Sequence, residues 1–314
     1  MTSATLANLF AGTRWAGDEK VSIAPDEVYY AATSAQKEIL SLLNILEGRG
    51  GFTLAANQEM STYPALPITN VVLAGSVTNV TITGHAFHTG DEGYLYGILG
   101  AVQANGRWTF TRVNANTISI PLAAVSAYIS GGTAIHILAG AKEMLPSGIR
   151  RISDSSGLLF GSLDKKTLAW VEANRYAFSI PPGSVLSTGN SGSPTPQSPN
   201  NSVTIGFYEI YTDPITIGIF GPPQLEMITE ARFYRKHIDG VDDISATVNP
   251  IIPSFFDETI KMGVLYYLFA YRGEKGASVE ASKWRAMFDA EMMKARKVHG
   301  RQKLVQQADT GGRW

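Results

Sequence analysis

Cysteine is absent from the 314 residues. That excludes disulfides, thiolate metal sites and a cysteine nucleophile, and it leaves the redox compartment open. Charge is scarce: Asp, Glu, Lys and Arg make up 17% of the chain, against about 25% in ordinary soluble domains. With 26 basic and 27 acidic side chains the formal net charge is −1. The basic excess with which a dedicated nucleic-acid binder displaces counterions is therefore missing. Long apolar runs are lacking too. The strongest, Met262 to Tyr271, falls far short of the ~20 residues that cross a bilayer, so no membrane partner is expected. No basic segment followed by an apolar one opens the sequence, which predicts synthesis in the cytoplasm.

Hydrophobic residues make up 44%, enough to bury a sizeable core, and a length of about two typical domains is expected. An exterior so poor in charge favours contact with other protein, which points to an oligomer or an assembly component.

Helical spacing is clear near the start. Pro25 suits a first helical position, Asp26 and Glu27 complement the dipole, and Val28, Ala32, Ala35, Ile39, Leu42, Leu43 and Leu46 recur up to a stop at Gly48. Residues 68–138 then turn rich in Gly, Thr, Val, Asn and Ile. Short alternating runs (Val77 to Thr83, Trp108 to Val113, Thr117 to Pro121) are separated by turn signals, Asn105-Gly106 being the strongest hairpin signal. This reads as a small all-β module. Further strands are expected at Gly148 to Ile152, Leu168 to Ile180, Val203 to Tyr211, Thr216 to Phe220 and Met227 to Tyr234, with a mobile loop over 183–202. Two helices close the chain, Phe255 to about Tyr271 behind a Ser254 cap and Ser278 to Val298 ended by Gly300. They form an αα-hairpin, followed by an aperiodic tail, 301–314. The fold class expected is α+β: an N-terminal helix, a β domain and a C-terminal αα-hairpin, with an inserted barrel-like β module. The helices and β domain (1–67 and 139–314) form one domain and 68–138 the other.

Catalytic and metal signatures fare poorly. His85 and His88 make a His-x-x-His pair with no further ligand in reach, and flank the Thr89-Gly90-Asp91 turn as a loop would place them. His136, His237 and His299 are scattered. Asp239, Asp242 and Asp243 fail the twelve-residue calcium-loop pattern and read as a solvated turn. Gly189 to Ser193 is not a nucleophile elbow, and no phosphate-cradling glycine loop is present. No cofactor, no metal and no enzymatic activity are expected. Lys294, Arg296, Lys297, Arg301 and Lys303, with His299, form a stretch without an acid. It suits a phosphate backbone or an acidic protein surface, and equally a basic helix end complementing its dipole.

The order of elements carries a resemblance. A helix, Tyr63-Pro64-Ala65-Leu66-Pro67, Leu145 to Ile152, a Trp170-bearing strand, the Gly221-Pro222-Pro223 turn, a strand ending Arg232 to Arg235, and Pro253 leading into an aromatic-rich helical hairpin follow one another. This succession resembles tailed-bacteriophage head–tail adaptor (connector) proteins over residues 20–67 and 139–298. Within the module, Val80 to Thr83, His85 to Asp91, Asn105 to Phe110, Val113 to Ile118 and Gly131 to Ala134 resemble the FCCH-like β-barrel repeat of phage structural proteins.

The adaptor resemblance implies a structural virion protein at the neck, reached from the host cytoplasm during assembly. It would form a ring homo-oligomer, twelve-fold by analogy, that joins the portal protein to tail or nozzle proteins and lets genomic DNA pass without sequence readout. Arg301, Lys303, Leu304, Val305, Arg313 and Trp314 become the portal-docking candidates. Phe255, Phe256, Leu265, Phe269, Trp284 and Phe288, on a helical hairpin apolar on several sides, become the candidates for subunit packing. A different class of function is a tail-tip or fibre-attachment module that recognises a glycan or host protein through Tyr94, Tyr96 and Trp108. Core packing is the alternative for those three.

Overall fold

The computed structural model describes residues 1–10, 23–54, 60–153, 162–167, 169–170, 206–210, 216–220, 227–272 and 277–310. It is α+β, and the chain divides into two compact units, Met1–Glu47 with Arg235–Trp314, and Gly48–Tyr234. The loop expected at 183–202 lies outside the described residues.

The first unit is helical. Helix α1 (Ser3–Phe10), which the sequence pattern did not signal, buries Leu6 and Ala7. Helix α2 (Pro25–Leu42) starts at Pro25, and the Ala24 N–H donates to Glu27 Oε2 at 3.1 Å. It stops well before Gly48. Leu43 is extended at φ −116° and ψ 136°, and the chain buries Leu43 and Ile45 with a period of two. The run continues in hydrophobicity but changes its geometry.

Helix α3 (Asp257–Arg272) follows a 3₁₀ turn over Ser254–Phe256. The cap expected at Ser254 is not there, because the turn begins one residue earlier on Pro253, whose carbonyl accepts from Phe256 N–H at 3.0 Å. Helix α4 (Ala277–Thr310) runs through Gly300 and carries the expected tail with it for ten further residues. One glycine costs a helix about 1 kcal/mol relative to alanine, which weakens it without ending it. At 1.5 Å per residue α4 is about 51 Å long and α3 about 24 Å, so α4 outlasts its antiparallel neighbour.

The helical core joins Val28, Ala32, Ala35 and Ile39 of α2 to Ile260, Val264 and Leu268 of α3 and Phe288, Met292 and Ala295 of α4. Backbones approach closely at Gly263. A Cβ there would lie 2.6 Å from the Ala35 Cβ and 3.0 Å from the Phe288 ring.

The second unit contains two cores. A seven-stranded sheet has the order β1-β15-β11-β12-β13-β14-β2. Its strands are β1 (Glu47–Leu54), β2 (Met60–Thr62), β11 (Ala141–Ser153), β12 (Ser162–Lys165), β13 (Gly206–Ile210), β14 (Thr216–Phe220) and β15 (Met227–Arg235). β12 and β13 pair in parallel, while β13–β14 and β14–β2 are antiparallel. Phe52, Met144, Ile149, Phe207, Ile217 and Phe233 share its core. At the parallel pair, Lys165 Nζ meets buried Glu209 at 2.7 Å and donates to the Met144 carbonyl at 2.8 Å. Trp170, expected on a strand, is helical; Thr167 Oγ1 accepts its N–H at 3.2 Å and Lys166 lies over its ring. The rest of the strand expected to Ile180 lies outside the described residues.

The inserted module forms two four-stranded sheets, β3-β10-β6-β7 and β4-β5-β9-β8. The first contains β3 (Leu66–Pro67), β6 (Glu92–Leu99), β7 (Gly106–Thr109) and β10 (Ser130–His136). The second contains β4 (Asn70–Ala74), β5 (Val77–Thr81), β8 (Thr111–Asn114) and β9 (Thr117–Ile120). They do not close into the expected barrel. The run from Trp108 to Val113 breaks at Phe110, whose ring is fully buried, and the chain passes there from one sheet to the other. The module's core, from Ile68 to Ala134, is entirely its own.

Tight hairpins fall at Gly75-Ser76, with Gly75 at φ +68°, and at Ala115-Asn116. Asn105-Gly106 instead ends a longer connection. The Asn105 side chain accepts from Ile98 N–H at 3.0 Å and donates to the Ile98 carbonyl at 3.1 Å, continuing the ladder in place of backbone. The compact units thus part at 47/48 and 234/235, and the expected partition, helices and host strands against 68–138, is not the one observed. The host strands build their core with one another and group with the insertion.

Candidate functional site

The portal-docking candidates divide between described and undescribed chain. Arg301, Lys303, Leu304 and Val305 lie on the last turns of α4. Arg313 and Trp314 lie outside the described residues. The subunit-packing candidates are also not one surface. Phe256 and Phe288 are fully buried inside the helical unit, so they hold this chain together and offer nothing to a neighbour. Leu265, Phe269 and Trp284 are half-buried, with the Phe269 and Trp284 rings stacked 6.4 Å apart. Phe255 remains exposed at 43%.

Other apolar side chains stay uncovered on the same unit, and sequence spacing did not single them out. Tyr30 is 62% exposed and Tyr271 50%, and their rings meet at 5.0 Å while Ser34 and the Tyr271 hydroxyl hydrogen-bond at 2.9 Å. On α4, Val279 is 71% exposed and Met293 64%. Behind these surfaces a polar clamp ties the three long helices. Glu38 of α2 accepts from the Tyr267 hydroxyl at 2.7 Å and from Arg285 at 2.6 and 3.0 Å, and Arg285 also reaches Asp289. Glu38 raises the Arg285 pKa, while burial and then Glu38 raise that of Tyr267.

In the module, pairing register separates the three aromatic candidates. Trp108 faces Gly93 across β6–β7, whereas Tyr94 faces Arg107. Directly opposed residues share a face and successive ones alternate, so Trp108 lies on the side of buried Leu95 and the two tyrosines on the other. Trp108 packs on the module core and donates from Nε1 to the Ala104 carbonyl at 2.7 Å. Tyr94 packs against the core of the seven-stranded sheet. A platform made of all three is not formed.

Two histidine clusters come from contacts that no local motif announces. His136 is fully buried, stacked at 3.9 Å on Tyr63, with Phe87 parallel to it at 6.2 Å. Its Nδ1 accepts from Leu138 N–H at 3.1 Å, which places the proton of the neutral ring on Nε2, facing Asp91 Oδ2 at 3.7 Å. Burial, with a smaller push from His88, lowers the His136 pKa to about 3. Asp91 joins loop to strand: it accepts from Thr53 N–H and from His88 N–H, each at 2.7 Å. The pair His85 and His88 therefore serves this loop, with His85 buried beside Phe87.

In the helical unit His237, Asp239 and Asp243 bring three potential ligand atoms within 4.8 Å of one another. The hydrogen bonds argue against a metal there. Gln36 Oε1 accepts from Ile251 N–H at 2.8 Å, so its amide nitrogen is the group at 3.2 Å from His237 Nδ1 and also donates to the Asp242 carbonyl. Nδ1 must accept, and Nε2 carries the proton that it donates to Asp243 at 2.9 Å. Neither nitrogen presents a lone pair to an ion. Lys37 Nζ already sits 3.0 Å from Asp239. Burial alone would raise the Asp243 pKa, but His237, the Gly240 N–H and Lys37 together outweigh it and hold the carboxyl below its ordinary range. Asp242 turns inward to Arg235 and the Ile238 N–H. The acidic turn is a clamp between α2 and the segment that follows β15.

No protein-family model matches the chain, and no curated protein matches its sequence. Among the described residues no helix is long and apolar enough to cross a membrane.

Proposed function

We propose that the chain is a structural virion protein that forms a ring between the capsid portal and the tail. Copies of the chain would line a channel for genomic DNA, with tail or nozzle proteins on the far side. The observation that carries this reading is apolar surface left uncovered beside a complete core. Phe255, Tyr30, Tyr271, Val279 and Met293 stay exposed although the helices bury Phe256 and Phe288 fully. Such surface is a liability on a solitary molecule and a contact on an assembling one. The near-neutral charge supports it, since a strongly basic wall would retain DNA through counterion release. The proposal assigns the chain no catalytic step. Glycan recognition by the insertion is the weaker reading, because Trp108 is turned to the module core and only Tyr94 and Tyr96 share a face.

The test is binding of the full chain to purified portal rings, with a variant lacking residues 301–314 beside it. The full chain should sediment with the portal and occupy the virion neck in images of tagged particles. The shortened variant should lose only the helical circular dichroism of the ten α4 residues removed, keep its thermal melt, and lose most of the portal binding. A full chain that ignores the portal and is found elsewhere in the particle contradicts the reading.

A further inference from the structure

The helix α4 carries a second apolar stripe besides the one that faces the core. Val279, Lys283, Ala286, Ala290, Met293 and Lys297 follow at alternating spacings of four and three, all exposed. On a helical projection they lie opposite Ala281, Phe288, Met292 and Ala295, which are buried. Alternating four–three spacing is the register by which one helix packs along another, and alanines let the backbones come close. Toward its C-terminal half the stripe opens into a groove of about 370 Å³ lined by Ala290, Met293, Lys294, Lys297 and Val298. No acid falls on the stripe; Glu280, Asp289 and Glu291 lie to its sides, where Glu280 pairs with Lys283 at 3.7 Å and Glu291 with Lys294 at 3.3 Å, and Lys297 adds positive charge. The face is apolar with positive charge.

We infer that this face of α4 docks on the exposed tyrosine patch at the start of α2 in a second copy of the chain. The patch is its chemical complement. Tyr30 and Tyr271 offer aromatic surface at 62% and 50% exposure, and Asp26 and Glu27, one turn earlier on α2, are exposed acids. Lys294 and Lys297 would face Asp26 and Glu27 while Met293 and Ala290 meet the tyrosines. The two surfaces are different parts of one unit, so the contact is heterologous and repeats from copy to copy, closing when the rotation allows. A phosphate backbone is the other macromolecule that lysines suit. The groove's apolar floor of alanine, methionine and valine favours protein. The inference rests on the ring proposed above and names the faces that build it.

The experiment is a charge swap in the full chain, read as the concentration at which half of the protein is assembled. Lys297→Glu should raise that concentration at least tenfold, and Asp26→Lys should raise it similarly. Mixing the two variants, or combining them in one chain, should bring it back to within about threefold of the unsubstituted protein. Met293→Ser, which touches no charge, should also weaken assembly. If the unsubstituted chain assembles and the lysine variant assembles equally well, the docking assignment is wrong while the ring stands. Weakening without recovery in the swapped pair overturns α2 as the acceptor. If the lysine variant loses only retention of duplex DNA, the face is a nucleic-acid contact and the inference fails. An unsubstituted chain that stays monomeric with and without portal removes the ring itself.

Discussion

The helical unit and the inserted module bury their apolar residues to different ends. In the module, the two sheets share one core and Trp108 satisfies its indole N–H within the module, while Val72, Leu99 and Ile129 stay exposed. In the helical unit the core is equally dry, yet the outer sides of α2, α3 and α4 keep Tyr30, Phe255, Tyr271, Val279 and Met293 in solvent. A polar clamp around Glu38 adds to the apolar packing where α2 meets α3 and α4. The contrast teaches that burial fraction alone does not tell which part of a chain is finished. Both regions look outward as well as inward, and the helices add a stripe along α4 whose lysines match the acids at the start of α2.

Substitutions should separate the two regions. Phe288→Ala empties a fully buried site at the crossing of α3 and α4, and should cost about 3–5 kcal/mol in a thermal or denaturant melt. Hydrogen exchange should show the loss in the helices and leave protection in the strands between 66 and 136 unchanged. Loss of protection in both would break the comparison.

Acid should act on the β unit. Unfolded chains protonate histidine near 6.5, whereas buried His136 stays neutral to about 3. Between those values the unfolded state holds the extra proton, so the contribution of His136 is complete above pH 6.5 and declines as pH falls. The decline approaches about 1.4 kcal/mol per pH unit. His136→Gln should flatten the stability–pH curve of the β unit by about one proton. A curve of unchanged slope would show that the ring protonates in the folded state.

Arg285→Ala removes a clamp that is partly exposed, and solvent screening discounts it. About 1–2 kcal/mol of destabilisation, seen in the helices alone, is expected in a urea titration. Smallest is the effect of Val279→Ser with Met293→Ser on the monomer, within about 0.5 kcal/mol, since both side chains already face water. Their effect should appear only in assembly. A large loss of monomer stability would mean that these side chains pack within the chain.

Much of this was legible in the sequence where one local signal decided the geometry. Pro25 marked the start of α2, the apolar run from Phe255 to Tyr271 marked α3, and 216–220 and 227–234 appeared as strands almost to the residue. Boundaries failed where two signals competed. Leu43 and Leu46 kept the helical spacing, but Leu43 and Ile45 are buried as an extended segment. Gly300 was a reasonable stop that the rest of α4 overrides.

Phe110 broke an otherwise continuous strand because the core needed its ring. The tertiary polar contacts were out of reach. Gln36 and His237 are 201 residues apart, and His136 meets Asp91 across a fold that no local pattern describes. Trp108 and Tyr94 could be told apart only once the strand register set which faces they share.

The most direct test is the mass of the full-length protein in solution across a wide concentration range, by native mass spectrometry or sedimentation, with and without portal. The account predicts a closed ring of one defined multiplicity, reached alone or on the portal. A single chain at every concentration, unchanged by the portal, would contradict it.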